Sequence, residues 1–359
     1  MIKTYQKYII KNYLKSVFSI SGIFFCLVLV LNIFEEINYF KDIEITFLFP
    51  LFLNFLNAPS ILYNIFPFIF LISSQFFLLN LIEKNELIVL KNFGIDNFKL
   101  IKILATSSFV LGLLVIIVFY NLSSNLKYIY LDLKSDYSSD DKYLAVINEN
   151  GLWIRDEVDN QINIINADKI EKNILKIVTI TKFDSNFNLL GYIYAYEVNI
   201  EKNEWFIKKA TINNIKETNI IKNSFFFQSN FNSEKINTLF SNLESLSMWE
   251  LLKLKRDYKN VSYSVSEIDI QLQRIYSYPI YLVIMTILSA VMMLNIGYNK
   301  PKIFYLILGI LLSVIIFYLN RFVNLLGENE KLPIHLSIWL PHILMFILIT
   351  IGLIRINEK

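Results

Sequence analysis

Apolar residues in this chain form long unbroken runs toward its two ends and short alternating runs through its middle. From Ile45 to Ile82 no Asp, Glu, Lys, Arg or His interrupts the sequence. A bilayer core of roughly 30 Å is crossed by about 20 apolar helical residues, so windows of that length predict membrane spans. Six are predicted, at residues 16–34, 60–82, 103–122, 275–297, 303–320 and 332–354. The run from Ile45 exceeds one crossing, and Pro50, Pro59 and Pro67 punctuate it. That pattern predicts an interfacial or re-entrant helix near 47–57 ahead of the second span.

Between the third and fourth spans the texture changes. Stretches such as "ILKIVTITKF" (174–183) and "GYIYAYEVNI" (191–200) alternate apolar with polar residues. Turn signals separate them at Asn150-Gly151, Asp184-Ser185-Asn186 and Glu201-Lys202-Asn203. Period-2 runs with turns between them predict an antiparallel all-β domain, a sandwich or open barrel, in which Trp153 and its strand pack the core. "SMWELLKLKRDYKN" (247–260) then reads as an amphipathic helix. The expected organisation is a first membrane half (1–122), an inserted all-β domain (123–274) and a second membrane half (275–359), with no internal repeat between the halves.

Composition sharpens this. With 55% hydrophobic and only 18% charged residues, the chain is too apolar for an ordinary soluble enzyme. Its basic residues are dispersed and the formal charge is only +3, so no nucleic-acid footprint emerges. The lysines nevertheless orient it. Lys3, Lys7, Lys11 and Lys15 precede span one, Lys84, Lys91, Lys99 and Lys102 lie between spans two and three, and Lys300 and Lys302 separate spans four and five. By the positive-inside rule these flanks are cytoplasmic, as are both termini. Glu35, Glu36, Asp42, Glu44, Glu328 and Glu330 fall on the opposite side. Fifteen mixed residues precede span one, so the N-terminal segment is expected to stay as an anchor and not to be cleaved.

No catalytic constellation stands out. His335 and His342 sit seven apart without an acidic partner in their span, which suits packing better than metal ligation. The nine glycines form no phosphate-cradling pattern, and the lone Cys26 lies in an apolar run. Neither a cofactor nor a metal is expected, and any ATP-derived energy has to come through a partner. The spans hold almost no ionisable groups, which disfavours an ion relay.

One short stretch breaks the apolar pattern in an informative way. "EKNELIVLKNFG" (83–94) is rich in helix formers, and Glu86, Leu90 and Phe93 share one face at i, i+4 and i+7. Gly94 sits where a helix stops, and Asp96 is placed to cap the helix that enters span three. A short helix with one acidic residue beside apolar ones suits docking into a cleft of a soluble protein, or forms a simple charged turn.

This stretch resembles the cytoplasmic coupling helix of the lipopolysaccharide export permeases, the LptF/LptG (YjgP/YjgQ) family, with Glu86, Leu87, Leu90 and Gly94 in the matching places. Other pieces follow in order. "GLWIRD" (151–156) resembles the LptG side of the family, "NEWFIKKA" (203–210) its recurring strand, and "LSMWEL" (246–251) its Leu-Ser-x-x-Glu-Leu. Arg274 and Pro279 open span four, and "LPIHLSIWLP" (332–341) is similar to the last-span entry. The resemblance covers essentially the whole chain.

It implies a non-catalytic, LptG-like permease subunit of the bacterial inner membrane, with a periplasmic jellyroll-like domain. The implied partners are an LptF-like permease, a cytoplasmic LptB-like ATPase dimer docked on the coupling helices, and an LptC/LptA-like jellyroll bridge. The implied cargo is lipopolysaccharide, drawn from the surrounding membrane lipid through gates where span one of one permease meets span five of the other. Lipid A carries phosphates, so the resemblance implies basic residues near the outer end of the gate helices, as some family members show on span one. Here Asn32, Glu35 and Glu36 stand there, leaving Lys41 and, at the end of span five, Arg321 as basic candidates. An LptF-like role, a receptor with an outer β ligand-binding domain and a lipid-acting membrane enzyme are the competing expectations.

Overall fold

The computed structural model describes residues 3–41, 45–135, 137, 144–148, 151–158, 161–171, 173–214, 217–233, 236, 243–260, 265–295, 302–329 and 331–357. The predicted loop charges Asp42, Glu44, Lys300 and Glu330, and Asn150 of the first turn, lie outside these residues. Long helices and one antiparallel sheet divide the chain into two compact units, residues 1–130 with 270–359, and residues 131–269.

The first unit holds the spans. They are α1 (Thr4–Tyr39), α2 (Leu48–Glu83), α4 (Asn97–Leu114) continued by a π-helical turn (Val115–Tyr120) into α5 (Asn121–Ser135), α7 (Ser266–Leu294), α8 (Lys302–Glu328) and α9 (Ile334–Asn357). A short α3 (Glu86–Asn92) separates α2 from α4. Six of these stretches are long and apolar enough to cross a membrane. In their most apolar windows α2 and α7 are 67% buried, against 17% for α1 and α8, so α2 and α7 form the centre.

The expected re-entrant helix is absent. Residues 48–83 form one continuous helix that keeps Pro59 and Pro67 inside it. Proline removes the amide that would bond the carbonyl four residues back. For Pro67 that acceptor belongs to Tyr63, and the buried hydroxyl of Tyr278 on α7 donates to it. The two rings stack at 4.4 Å. A neighbouring helix thus satisfies the freed carbonyl, which lets a proline remain inside a span.

Polar knots and close approaches hold the spans together. The buried Tyr13 hydroxyl of α1 meets Ser108 of α4 at 2.8 Å, Thr286 of α7 at 3.3 Å and Ser74 of α2 at 3.4 Å. Ser108 and Thr286 also bond each other at 2.9 Å. Hydroxyls buried away from water are satisfied here by one another, joining four helices at one level. Gly112 lies so close to Pro279 that a Cβ would come within 2.8 Å of its Cα, and the backbone at Gly309 presses on the Gln75 amide. The Gln75 amide donates to the Tyr305 carbonyl at 3.2 Å, joining α2 to α8.

The second unit is a seven-stranded antiparallel sheet in sequence order: β1 (Leu144–Asn148), β2 (Gly151–Val158), β3 (Gln161–Glu171), β4 (Ile174–Phe183), β5 (Leu189–Asn199), β6 (Glu204–Asn214) and β7 (Glu217–Gln228). Each strand alternates, but with one slip. On β5, Gly191, Ile193 and Ala195 are buried, and burial then moves to Val198. On β4 it moves from Leu175 to Val178 and Ile180. The pairing register skips Ile177 and Tyr196 together, and Lys209 on β6 with them. Ile177 and Lys209 both have positive φ, 55° and 50°. The register is the same on either side of these paired irregular positions, and across them the buried residues change parity along each strand.

Trp153 does not pack the core. It is 42% exposed, because the buried neighbours Leu152 and Ile154 take the inner face of β2. The packing tryptophan is Trp205, fully buried, whose indole donates to the Phe231 carbonyl at 2.6 Å. The predicted amphipathic helix is α6 (Met248–Asn260), which lies against the β1 edge. Ser247 and Glu250 bond reciprocally at its start, a capping box that gives "LSMWEL" a structural purpose.

Candidate functional site

The charged stretch after α2 folds as a short helix clamped at both ends. Asn85 takes a left-handed conformation (φ 58°) that ends α2 and starts α3, a geometry Asn tolerates better than most residues. Glu86 lies in the first turn and Lys91 in the last, each at the helix end its charge favours. At the far end Gly94 has φ 77°. The amides of Gly94 and Ile95 donate to the carbonyls of Lys91 and Leu90 at 2.9 and 3.0 Å. This is a Schellman closure, with Ile95 buried behind it. A Cβ at Gly94 meets open space, so conformation and not crowding selects glycine. Asp96 then caps α4 by accepting the Lys99 amide at 2.7 Å, as expected, and the Lys99 ammonium donates to the Gly94 carbonyl at 2.8 Å.

Glu86, Leu87 and Leu90 are half-buried. The exposed large apolar side chains of this segment are Ile88, Val89 and Phe93, the last 80% open to its surroundings. Glu86 accepts a hydrogen bond from the Tyr8 hydroxyl at 2.8 Å. Sequence reasoning missed Tyr8, because 78 residues separate the two and no spacing rule connects helix α1 to this turn. Between α1, the end of α2 and Glu86 lies a cleft of about 320 Å³.

The three outer-end candidates separate. Asn32 is buried, and its amide donates to the Asn54 carbonyl oxygen at 3.1 Å, while the Asn54 amide donates to the Leu29 carbonyl at 2.7 Å. It therefore locks α1 to α2. Lys41, just past α1, and Arg321, on α8, are both exposed. No described contact joins the three. Glu36 is buried and accepts from the Tyr130 hydroxyl at 2.8 Å, whereas Glu35 is exposed.

The remaining motif residues serve the scaffold. Buried Asp156 accepts from the Ser229 hydroxyl at 2.7 Å, the Asn230 amide nitrogen at 3.1 Å and the Asn230 side chain at 2.9 Å. Arg274 pairs with Glu328 at 2.5 Å, and the Trp339 indole donates to Gln273 at 3.1 Å. His335 is exposed, and His342 is buried with its Nδ1 at 2.7 Å from the Ile338 carbonyl. Among the described residues no group of three His, Cys, Asp or Glu is placed to hold a metal ion.

What the α3 end offers is apolar surface around a carboxylate that is already bonded, an arrangement suited to docking. No curated protein matches this sequence significantly. The family model of the lipopolysaccharide export system permease LptF/LptG, however, matches residues 7–355, and the chain belongs to that family.

Proposed function

We propose that this permease is the LptG-like subunit of an ATP-driven exporter, paired with an LptF-like permease and driven by a cytoplasmic LptB-like ATPase dimer. The observation that carries the ATP-driven reading is the exposed triad Ile88, Val89 and Phe93 on a helix held rigid at both ends. Three apolar side chains on a clamped helix fit a hydrophobic groove of a soluble partner. With Glu86, Leu87, Leu90 and Gly94 shaping the helix beneath them, a push from the ATPase reaches α1 through Tyr8.

Pairing with a second permease is supported by α1 and α8, spans one and five, whose windows are only 17% buried within this chain. Lipopolysaccharide enters laterally where such faces meet. Lys41 and Arg321, both exposed, are the cations on hand for lipid A phosphates, and Asn32 acts through the α1–α2 packing. The sheet belongs on the periplasmic side. Its β7 edge has no strand partner among the described residues and exposes Ile221 and Phe226, which supports strand addition to an LptC/LptA-like bridge. "GLWIRD", with Asp156 bracing the fold, favours the LptG-like assignment over the LptF-like one.

The test is solubilisation in mild detergent followed by mass spectrometry of what accompanies the chain, for the wild type and Glu86→Lys. A second six-span permease and a soluble ATPase accompany the wild type, and the ATPase is lost from the variant while the chain still inserts. Normal ATPase association and export in Glu86→Lys would sink the coupling-helix assignment.

A further inference from the structure

We propose that the cleft between α1, the end of α2 and Glu86 binds a phosphate-bearing lipid headgroup. The cleft is lined from α1 by Lys15 and Ser19 and from the α2 side by Asn80 and Lys84. Neither lysine side chain makes an ion pair or a hydrogen bond among the described residues. The carboxylate at the cleft, Glu86, is taken by the Tyr8 hydroxyl instead. Two cations from two helices therefore line one volume of about 320 Å³ with a single carboxylate, Glu86, which the Tyr8 hydroxyl already engages, and the cleft keeps a net positive charge. That is the charge pattern of a phosphate site, in which each ammonium acts as a point charge and the neutral Ser19 and Asn80 supply hydrogen bonds.

The shape of the surface argues for a lipid as the source of the phosphate. From the cleft the i+4 row Lys15, Ser19, Ile23 on α1 passes from polar to apolar, and Ile23 is exposed. On α2 the matching passage runs from Lys84 through Asn80 to Phe76, 38% exposed. An amphiphile lying along both stripes sets its phosphate between the lysines and its acyl chains against Ile23 and Phe76. Basic pockets between spans at the membrane surface select anionic headgroups in this way. That the lipid comes from the cytoplasmic leaflet rests on the orientation proposed above; the binding itself does not.

The experiment is native mass spectrometry of the full chain in mild detergent, titrated with phosphatidylglycerol and phosphatidylcholine of the same acyl chains. At roughly fivefold per lysine, the wild type should prefer phosphatidylglycerol by about thirtyfold. Lys15→Gln/Lys84→Gln should bring the two lipids near parity, while Lys91→Gln/Lys102→Gln, which removes the same charge outside the cleft, should leave the preference intact. A wild type without preference, or an equal loss in the control pair, overturns the site. Excess inorganic phosphate distinguishes the sources: retained phosphatidylglycerol identifies lipid, and complete displacement identifies free phosphate and overturns the lipid assignment. Labelling of Val89→Cys by a membrane-impermeant maleimide, in right-side-out and inverted vesicles, reads the leaflet separately. Labelling from the periplasmic side would overturn the orientation and leave the headgroup site standing.

Discussion

The Tyr8 hydroxyl donates to Glu86 across 2.8 Å and joins the start of span one to the short helix between spans two and three. If α3 is where the ATPase pushes, this bond is a direct link from that push to α1. Tyr8→Phe removes the donor and leaves the ring, so insertion and folding should stay intact. A hydrogen bond to a charged acceptor at a partly open site contributes about 1 kcal/mol. We expect ATP hydrolysis by the complex to continue while export per ATP falls. In a double-mutant cycle with Glu86→Ala the two losses should not add, because each change removes one partner of the same bond. Additive losses in reconstituted export would show that the contact carries no coupling.

Gly94 makes a second, independent prediction. Its φ of 77° lies where a side chain is strained, and a Cβ there meets nothing. Gly94→Ala should therefore destabilise the end of α3 by about 1 kcal/mol through conformation alone. Gly94→Asn should cost less, since Asn enters the left-handed region more readily. Hydrogen exchange at the Gly94 and Ile95 amides, which close the helix on Lys91 and Leu90, measures this directly. Equal protection in all three proteins would refute the strain argument.

These two sites mark how far the sequence could be read. The helix end at Gly94, the cap at Asp96 and the six spans follow from local rules, namely backbone conformation, capping and the length of apolar runs. The inserted β domain was likewise legible from period-2 alternation. Local rules failed where a distant partner decided the outcome. Pro59 and Pro67 read as breaks in the helix, yet Tyr278, 215 residues from Tyr63, accommodates one of them. Trp153 read as core with its strand, but strand register gave the inner face to Leu152 and Ile154. Tyr8 carried no signal at all.

The β4–β5 turn should respond to acid. Asp184 accepts from the Asn188 side chain and amide and from the Asn186 amide, at 2.9, 2.8 and 2.9 Å. These bonds favour the carboxylate and hold its pKa below the usual value. A depressed folded-state pKa means that its contribution is present above the ordinary carboxylate range and is lost as pH falls through the folded value. The turn should open in that acid window, followed by exchange at the Asn186 and Asn188 amides. Asp184→Ala should abolish the pH dependence. A variant turn that opens over the same window would place the titrating group elsewhere.

The bond between Tyr278 and the Tyr63 carbonyl offers the sharpest test of how the membrane unit tolerates proline. Tyr278→Phe leaves a buried carbonyl without its donor, which costs about 1–3 kcal/mol. The ring stack at 4.4 Å remains, so the loss isolates the hydroxyl. Pro67→Ala supplies the missing helix amide, which can bond the same carbonyl four residues back. In that background Tyr278→Phe should cost much less, because the carbonyl then has a donor from its own helix. Thermal unfolding in detergent of the wild type, both single variants and the double variant gives the coupling energy. A cost for Tyr278→Phe that is unchanged by Pro67→Ala would mean that the hydroxyl does not stand in for the amide proline removed, and another account of the unbroken second span would be needed.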